Sequence, residues 1–552
     1  MITTICDSCD ARRGIKNPAI LSSSGSSSKC RICFELKLLD GNIVDAQYAL
    51  LRAVDQRRSY FEELNRHSDP IQRLPIELAT SIFTLCLPYP PSLDIFDVSQ
   101  GIRERCAFQP TPFRLGSICR YWRRVVWSTP CLWNTLWLHV SGSTAMARNE
   151  MLAEWLGRTS QLPLYICMFL LDAQSDDDFT QLELDTPAWI AISSMVDTLD
   201  SYTARMKVLD LCLPGLHISR FGHSKTIPSF TAATTNNILE KLSIDCSGSF
   251  PTDDFSGFRV GGQVPSPICI SFGLVDYSQV DIQWENVTVV KVSSVIAWEV
   301  LDILKLTPRI QQLISCIVGE DEVSDSYGQV TPPFLKILAI TSTFGDWTLL
   351  NTLTCPALEE FSYVLNSETS ASISNFFKRS ACVLNSLALG VWEASYLIQV
   401  LRGMPSLTHL ELLGCGIPDE FSKCFGETAY IEQKQLAGNS QDELFLPHLR
   451  SLFCTTANRS FPWFSIPSMI PQSPSTAADI TMVHRPLSRV EVLLEWDTAH
   501  RIHFSSADEY VIDLASLMCI MGLVRDGVTI EIRDQQTLDL ISFSQKHHGL
   551  KS

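Results

Sequence analysis

Leu384-Asn385-Ser386-Leu387-Ala388-Leu389 is followed by Leu407-Thr408-His409-Leu410-Glu411-Leu412, and these two stretches decide the architecture of the larger, C-terminal part of the chain. In each, apolar residues fall at the first, fourth and sixth positions, and the alternation at the end of the pattern is that of a strand with one buried face. With conservative replacements the pattern returns upstream at Met206-Leu209-Leu211, Leu239-Leu242-Ile244, Leu335-Leu338-Ile340 and Leu358-Phe361-Tyr363. Downstream it returns at Leu449-Leu452-Cys454 and Leu487-Val490-Val492. The middle copies start at 335, 358, 384 and 407, in steps of 23, 26 and 23 residues. Helical stretches fill the gaps, at Val295 to Leu306, Ser372 to Arg379 and Ala394 to Arg402. Pro308 and Pro405 follow the first and last of these, and Pro356 stands ahead of another copy of the pattern, where a ring without an N–H stops a helix before the next strand.

This period resembles that of leucine-rich repeats, which recur every ~20–29 residues with one strand and one helix or turn per unit. Residues 141–552 are therefore expected to form a degenerate leucine-rich-repeat-like α/β solenoid, each unit burying its face against its neighbours. The consensus asparagine is absent, and Cys415 after Leu412 is its nearest stand-in. A less regular α/β stack is the alternative.

Composition agrees with a packed, non-membrane chain. Of 552 residues, 45% are hydrophobic and 19% charged, which excludes wholesale disorder and suits side chains that face neighbouring repeats. The formal net charge of −17 and the lack of a long Lys/Arg run argue against nucleic acid as a partner. The longest apolar run, Leu162 to Leu171, is shorter than the ~20 residues of a membrane helix, and the N-terminus has no signal-peptide core. A cytoplasmic or nuclear location is expected. The 19 cysteines are then mostly reduced, small core residues.

Ahead of the repeats lie three zones. Residues 1–34 form a Cys/Ser-rich tail in which Cys6-x2-Cys9 and Cys30-x2-Cys33 have the spacing of a four-thiolate zinc site. The low-complexity run Ser22 to Ser28 sits between the pairs, and a tail without metal is the other reading. Residues 35–66 carry a heptad seam: Leu36, Leu39, Ile43, Ala46, Leu50, Ala53, Arg57, Tyr60 and Leu64. Gly41 weakens its first turn, and Arg57 at a seam position works against self-association. A helix packed on its own domain is the expectation.

Residues 67–140 carry the sharpest motif. Leu74-Pro75-x-Glu77-Leu78 opens a helix with Pro75 where a missing N–H costs nothing. Leu78, Ile82 and Leu85 form one apolar stripe on it, and Ala79, Phe83 and Cys86 a second, so two coverings are required. After a Pro/Ser/Gln-rich link at 88–112, one helix is expected to carry Leu115, Ile118, Trp122 and Val125 on a face beside Arg120, Arg123 and Arg124. Ser128-Thr129-Pro130 ends it and starts a short helix with Leu132 and Trp133.

These three blocks, Leu74-Pro75-x-Glu77-Leu78 with Ile82-Phe83, Leu115-x-x-Ile118-Cys119-Arg120-x-Trp122-Arg123-x-Val125, and Ser128-Thr129-Pro130-x-Leu132-Trp133, resemble the F-box. The likeness is to the variant found in F-box-like proteins of mushroom-forming fungi. It departs from them in the long 88–112 link. The resemblance implies a helical module that docks a Skp-type adaptor of a cullin–RING ubiquitin ligase through Leu74, Pro75, Leu78, Ile82, Phe83, Ile118, Cys119, Trp122 and Trp133. It implies that the repeats hold a protein substrate. An ordinary helical subdomain that packs as part of a non-ligase scaffold is the other reading of the same residues.

No chemistry of the chain's own is expected. The sequence has no Gly-rich phosphate loop, no G-x-S-x-G elbow and no H-E-x-x-H helix. His500-x2-His503 lacks a third ligand nearby, and Asp176-Asp177-Asp178 lacks the spacing of a calcium loop. Apart from zinc on the N-terminal cysteines, no cofactor is implied.

Overall fold

A computed structural model describes residues 31–68, 70–87, 111–141, 143–170, 186–221, 238–246, 258, 264–318, 328–342, 347–365, 370–390, 394–414, 417–427, 445–456, 461–470, 487–494, 511–534 and 538–550. They divide into two units, 31–87 with 111–132, and 133–550. The division falls before Trp133 rather than after residue 140, because Thr135–Val140 is already a strand of the second unit.

The first unit is helical. Helix α1 (Arg31–Ser68) runs through Gly41 without a break. Its described side chains are exposed apart from half-buried Glu62, so the expectation that it packs on its own domain is not met. After a 3-10 turn at Pro70–Arg73 comes α2 (Ile76–Cys86), with Pro75 at the position before its first residue. The next expected helix is in fact two, α3 (Pro112–Ile118) and α4 (Arg120–Ser128). Cys119 separates them in an extended conformation (φ −154°, ψ 170°), and its Sγ accepts from the Trp122 N–H at 3.4 Å. A thiol thus serves as the N-cap of α4, a position that more often carries a hydroxyl or carboxylate. Leu115 and Ile118 consequently do not share a face with Trp122; Leu115 is buried and Ile118 exposed.

The break lets α3 fold back on α4. Gly116 lies against Trp127, whose Cζ3 would be only 2.0 Å from a Cβ at that position, so no other residue fits without displacing the indole. Arg123 Nε donates to the Gly116 carbonyl at 2.9 Å, and Phe113 meets Trp127 edge-on at 5.8 Å. A 3-10 turn at Pro130–Leu132 closes the unit with buried Leu132.

Among the described residues, the second unit holds one sheet of fourteen strands, all parallel and in chain order. They are β1 (Thr135–Val140), β2 (Leu164–Leu170), β3 (Met206–Cys212), β4 (Lys241–Asp245), β5 (Cys269–Gly273), β6 (Val289–Val295) and β7 (Gln312–Ile317). Then follow β8 (Ile337–Ser342), β9 (Glu360–Leu365), β10 (Ser386–Gly390), β11 (His409–Leu413), β12 (Ser451–Thr456), β13 (Arg489–Leu494) and β14 (Thr529–Asp534). Parallel neighbours need crossovers. These carry α5 (Ala145–Arg158), α6 (Pro187–Asp200), α7 (Gly215–Ile218), α8 (Ala297–Leu306), α9 (Trp347–Thr352) and α10 (Ser370–Ser380). Toward the C-terminus they carry α11 (Ala394–Arg402), α12 (Asp419–Glu427), α13 (Ser465–Met469) and α14 (Leu514–Arg525), and α15 (Leu540–His547) follows the last strand. Between β5 and β6 two 3-10 turns, Tyr277–Gln279 and Trp284–Asn286, replace the helix.

Strand register explains the repeat pattern. Leu136, Ile166, Leu209, Leu242, Ile270, Val290 and Leu313 pair in a row, continued by Leu338, Phe361, Leu387, Leu410, Leu452, Val490 and Ile530. Two positions on, a second row runs from Leu138 through Ile340, Tyr363, Leu389 and Leu412 to Ile532. Every residue of both rows is buried. Helices cover them: Phe361 meets Phe376 at 5.5 Å and Phe377 at 5.2 Å, both from α10. All eight copies of the pattern read from sequence coincide with strands.

In place of an asparagine ladder, arginines clip units together. Arg205 Nη2 donates to Thr159 Oγ1 at 2.7 Å and to the Leu162 carbonyl at 2.8 Å. Arg379 Nη2 donates to the carbonyls of Leu350 and Leu353, the latter at 2.6 Å, and the Cys355 N–H donates to Ser380 Oγ at 3.0 Å. Each satisfies backbone groups that a helix end leaves open. Cys415 lies outside the described residues.

Candidate functional site

Helix α2 turns the middle of one apolar stripe inward, while Cys86 at the end of that stripe is exposed. Ala79 and Phe83 are fully buried, with Phe83 4.6 Å from the Trp122 ring. The other stripe is bare: Leu85 is 81% exposed, Leu78 is exposed, and Ile82 is half-buried between them. Exposed Pro75 and Ile76 stand at the start of the same helix, Leu74 is half-buried before them, and Ile118 at the end of α3 is exposed. On the outer side of α2 Ser81 and Thr84 return their hydroxyls to the carbonyls of Glu77 and Thr80, and on its inner side the Phe83–Trp122 contact holds it to α4. The apolar side chains are therefore presented by a helix braced from behind.

Of the nine residues predicted to contact a partner, Leu78, Pro75 and Ile118 lie at the surface, and Leu74, Ile82, Cys119 and Trp122 are half-buried. Phe83 and Trp133 are corrections. Phe83 is core, the brace beneath the stripe. Trp133 is also fully buried and belongs to the second unit, where its ring meets Trp155 edge-on at 5.2 Å and its carbonyl accepts from Trp155 Nε1 at 2.6 Å. Neither side chain offers a surface. Sequence reasoning passed over Ile76 and left Leu85 out of the contact set; the 3.6-residue period groups Leu85 with Leu78 and Ile82, whereas exposed Ile76 falls on the other side of the helix.

The sheet offers a second surface through the residues that alternate with its buried rows. Toward the first strands this face is apolar: Cys167, Phe169 and Cys212 are buried together with Trp137 packed on them. Trp137 stacks on Phe169 at 6.1 Å and His139 lies 5.6 Å from the same ring. Burial, with Arg148 nearby, holds His139 below the ordinary histidine range. Toward the last strands the face is charged. Glu491 and Glu531 pair across β13 and β14, with Arg489 bonded to Glu491 and Arg533 to Glu531. Burial first, then the charge of Glu491, raises the carboxyl of Glu411.

Several titratable or nucleophilic groups of the second unit are buried or already engaged. Ser193 Oγ lies 3.2 Å from His217 Nδ1, but both are buried, and Asp197 is engaged by Arg220 at 2.6 Å and 3.0 Å. Burial and Arg220 push His217 down to about 4, against the opposing pull of Asp197. Burial pushes the Cys246 and Cys355 thiols up to about 12, which keeps them protonated and poorly nucleophilic. Among the described residues, no group of three or more His, Cys, Asp or Glu could hold a metal. Cys6, Cys9 and Cys30 lie outside the described residues, and Cys33 falls in α1 at a position whose side chain is likewise outside them. Asp176-Asp177-Asp178, His500 and His503 also lie outside. No described helix is long and apolar enough to cross a membrane; the apolar run near residue 165 is the buried strand β2.

No family model and no curated protein matches the chain. Among solved structures, a structural-genomics target protein from Bacteroides fragilis is similar over 55% of this chain and 69% of its own, at 11% identity and a TM-score of 0.27. A likeness of that size says nothing about function.

Proposed function

We propose that the chain is the substrate-recognition subunit of a Skp–cullin–F-box ubiquitin ligase. The helical unit docks a Skp-type adaptor, and the repeat sheet holds a protein substrate. The observation that carries this reading is the bare stripe of Leu78 and Leu85 on α2, with Ile118 at the end of α3 also exposed, in the segment that resembles an F-box. A stripe of large apolar side chains held rigid and left open is what a helical docking partner buries. Phe83 and Trp122 act from beneath, by fixing the angle of α2.

In this reading the chain performs no bond chemistry. It raises the effective concentration of a substrate lysine beside a ubiquitin thioester held elsewhere in the ligase. The experiment is a binding titration with a purified Skp-type adaptor. Wild type is expected to bind, and Leu74→Ala with Pro75→Ala to lose the complex. Normal binding by the double variant, or no binding by wild type, would remove the assignment. A non-ligase scaffold differs in needing the stripe covered by the chain itself.

A further inference from the structure

Helix α1 is the longest described element, and its described side chains are exposed apart from half-buried Glu62. Among the described residues, Arg120 of α4 pairs with its Glu62 at 2.6 Å. Leu36, Leu39, Ile43, Leu50, Tyr60 and Leu64 are 42–65% exposed, with Val54 and Phe61 exposed beside them. Together with Ala46, Ala53 and Arg57 they recur in steps of three and four along an unbroken helix. We infer that this seam is a dimerisation surface whose occupant is α1 of a second copy of the chain, running antiparallel.

Size and charge select that occupant and that direction. Writing Leu36 as heptad position a, the large seam residues Leu36, Ile43, Leu50, Arg57 and Leu64 occupy a, and Leu39, Ala46, Ala53 and Tyr60 occupy d. A parallel pair sets each residue against its own counterpart. Arg57 then meets a second arginine, the two alanines leave gaps, and Glu35 at g faces the partner's Asp40 at e. An antiparallel pair crossing between Leu51 and Arg52 removes all three faults. It sets Leu50 on the partner's Ala53, Arg57 on the partner's Ala46, Ile43 on the partner's Tyr60 and Leu64 on the partner's Leu39. Each alanine receives a long side chain, and the Arg57 stem lies along apolar surface with its charge free to reach the edge.

The charges agree. With Lys37 set against Glu35, Asp40 and Asp45, residues 35–51 carry a net −2, and with Asp55, Glu62 and Glu63 set against Arg52, Arg57, Arg58 and Arg66, residues 52–68 carry a net +1. Antiparallel packing brings these halves of opposite net sign together, sets Asp45 level with the partner's Arg58, and opposes the helix dipoles. The area suffices as well. Eight large apolar side chains at roughly 60–120 Å² each come to about 500–900 Å² per chain. A standard interface buries about 800 Å² per partner.

The test is the solution mass of the full chain by light scattering at micromolar concentration, with and without Leu50→Glu. Leu50 is exposed in the single chain, so far-UV circular dichroism of the variant should match wild type apart from the coil itself. Wild type is expected at twice the monomer mass and the variant at the monomer mass, with dimer affinity weakened at least about tenfold. A genetically encoded spin label at position 38 reads direction. Two labels should lie about 40 Å apart along an antiparallel coil at 1.5 Å per residue, and under about 20 Å in a parallel one. A wild-type monomer, a dimer indifferent to Leu50→Glu, or the short label distance would each overturn the inference. The result is independent of adaptor binding.

Discussion

In the helical unit Leu85 lies 81% open to water beside fully buried Phe83, whereas in the sheet both inner rows are buried on all fourteen strands. The same residue types therefore do opposite things. In the repeats a leucine is spent on the neighbouring unit, because a parallel strand has value only when its inner face is covered. In the helical unit a short helix uses one stripe to hold itself and leaves the other bare. A surface made this way costs little stability to alter and much binding; a repeat row is the reverse.

Substitutions can break that contrast. Leu410→Ala, in the middle of the first buried row, is expected to cost about 3–4 kcal/mol in chemical denaturation, with the loss confined to the sheet. A cost below 1 kcal/mol would mean the row is loosely packed. Acid should act on the sheet by the same logic. His217 is held neutral by burial in the folded chain, with a pKa near 4, while the unfolded chain takes up its proton near the ordinary 6.5. Between those values the unfolded state binds more protons, so stability is full above pH 6.5 and falls as pH drops toward 4, by at most about 3 kcal/mol. His139 adds in the same direction. Melting temperatures across pH 4 to 7.5 check this, and His217→Gln should flatten part of the slope.

Within the helical unit, Gly116→Ala should displace Trp127 and destabilise that unit by about 1–3 kcal/mol, seen as a shift in indole fluorescence during melting. Leu85→Ala should change stability by no more than about 0.5 kcal/mol. If Leu85→Ala proved as damaging as Leu410→Ala, the stripe would be covered after all and the contrast would fail.

Much of the sheet was legible in the chain. Leu335 to Leu412 repeats nearly uniformly because its crossovers are short and alike, and all eight pattern copies became strands. The remaining strands hid for physical reasons. Ile270 and Phe272 follow Pro267 rather than leucine, Ile530 and Ile532 follow Gly527, and Ser315 breaks the second row on β7 while staying buried. Long crossovers such as those between Ile166 and Leu209 or Leu410 and Leu452 also destroy the period. The apolar run of β2 shows both faces buried and no alternation at all. In the helical unit the two stripes of α2 were legible, but which one would be bare was not. That depended on the break at Cys119, and Cys119 reads as helix interior until its sulfur is seen capping Trp122. The burial of Trp133 was missed because it follows the helical motif directly yet belongs to the second unit, just ahead of its first strand.

Amide hydrogen exchange on the full chain, alone and with a Skp-type adaptor, tests the central claim most directly. Segments 76–86 and 112–118 are expected to gain protection on adding adaptor while β10 to β12 stay unchanged. Complex formation with no change in 76–86, or protection concentrated in the sheet, would contradict it.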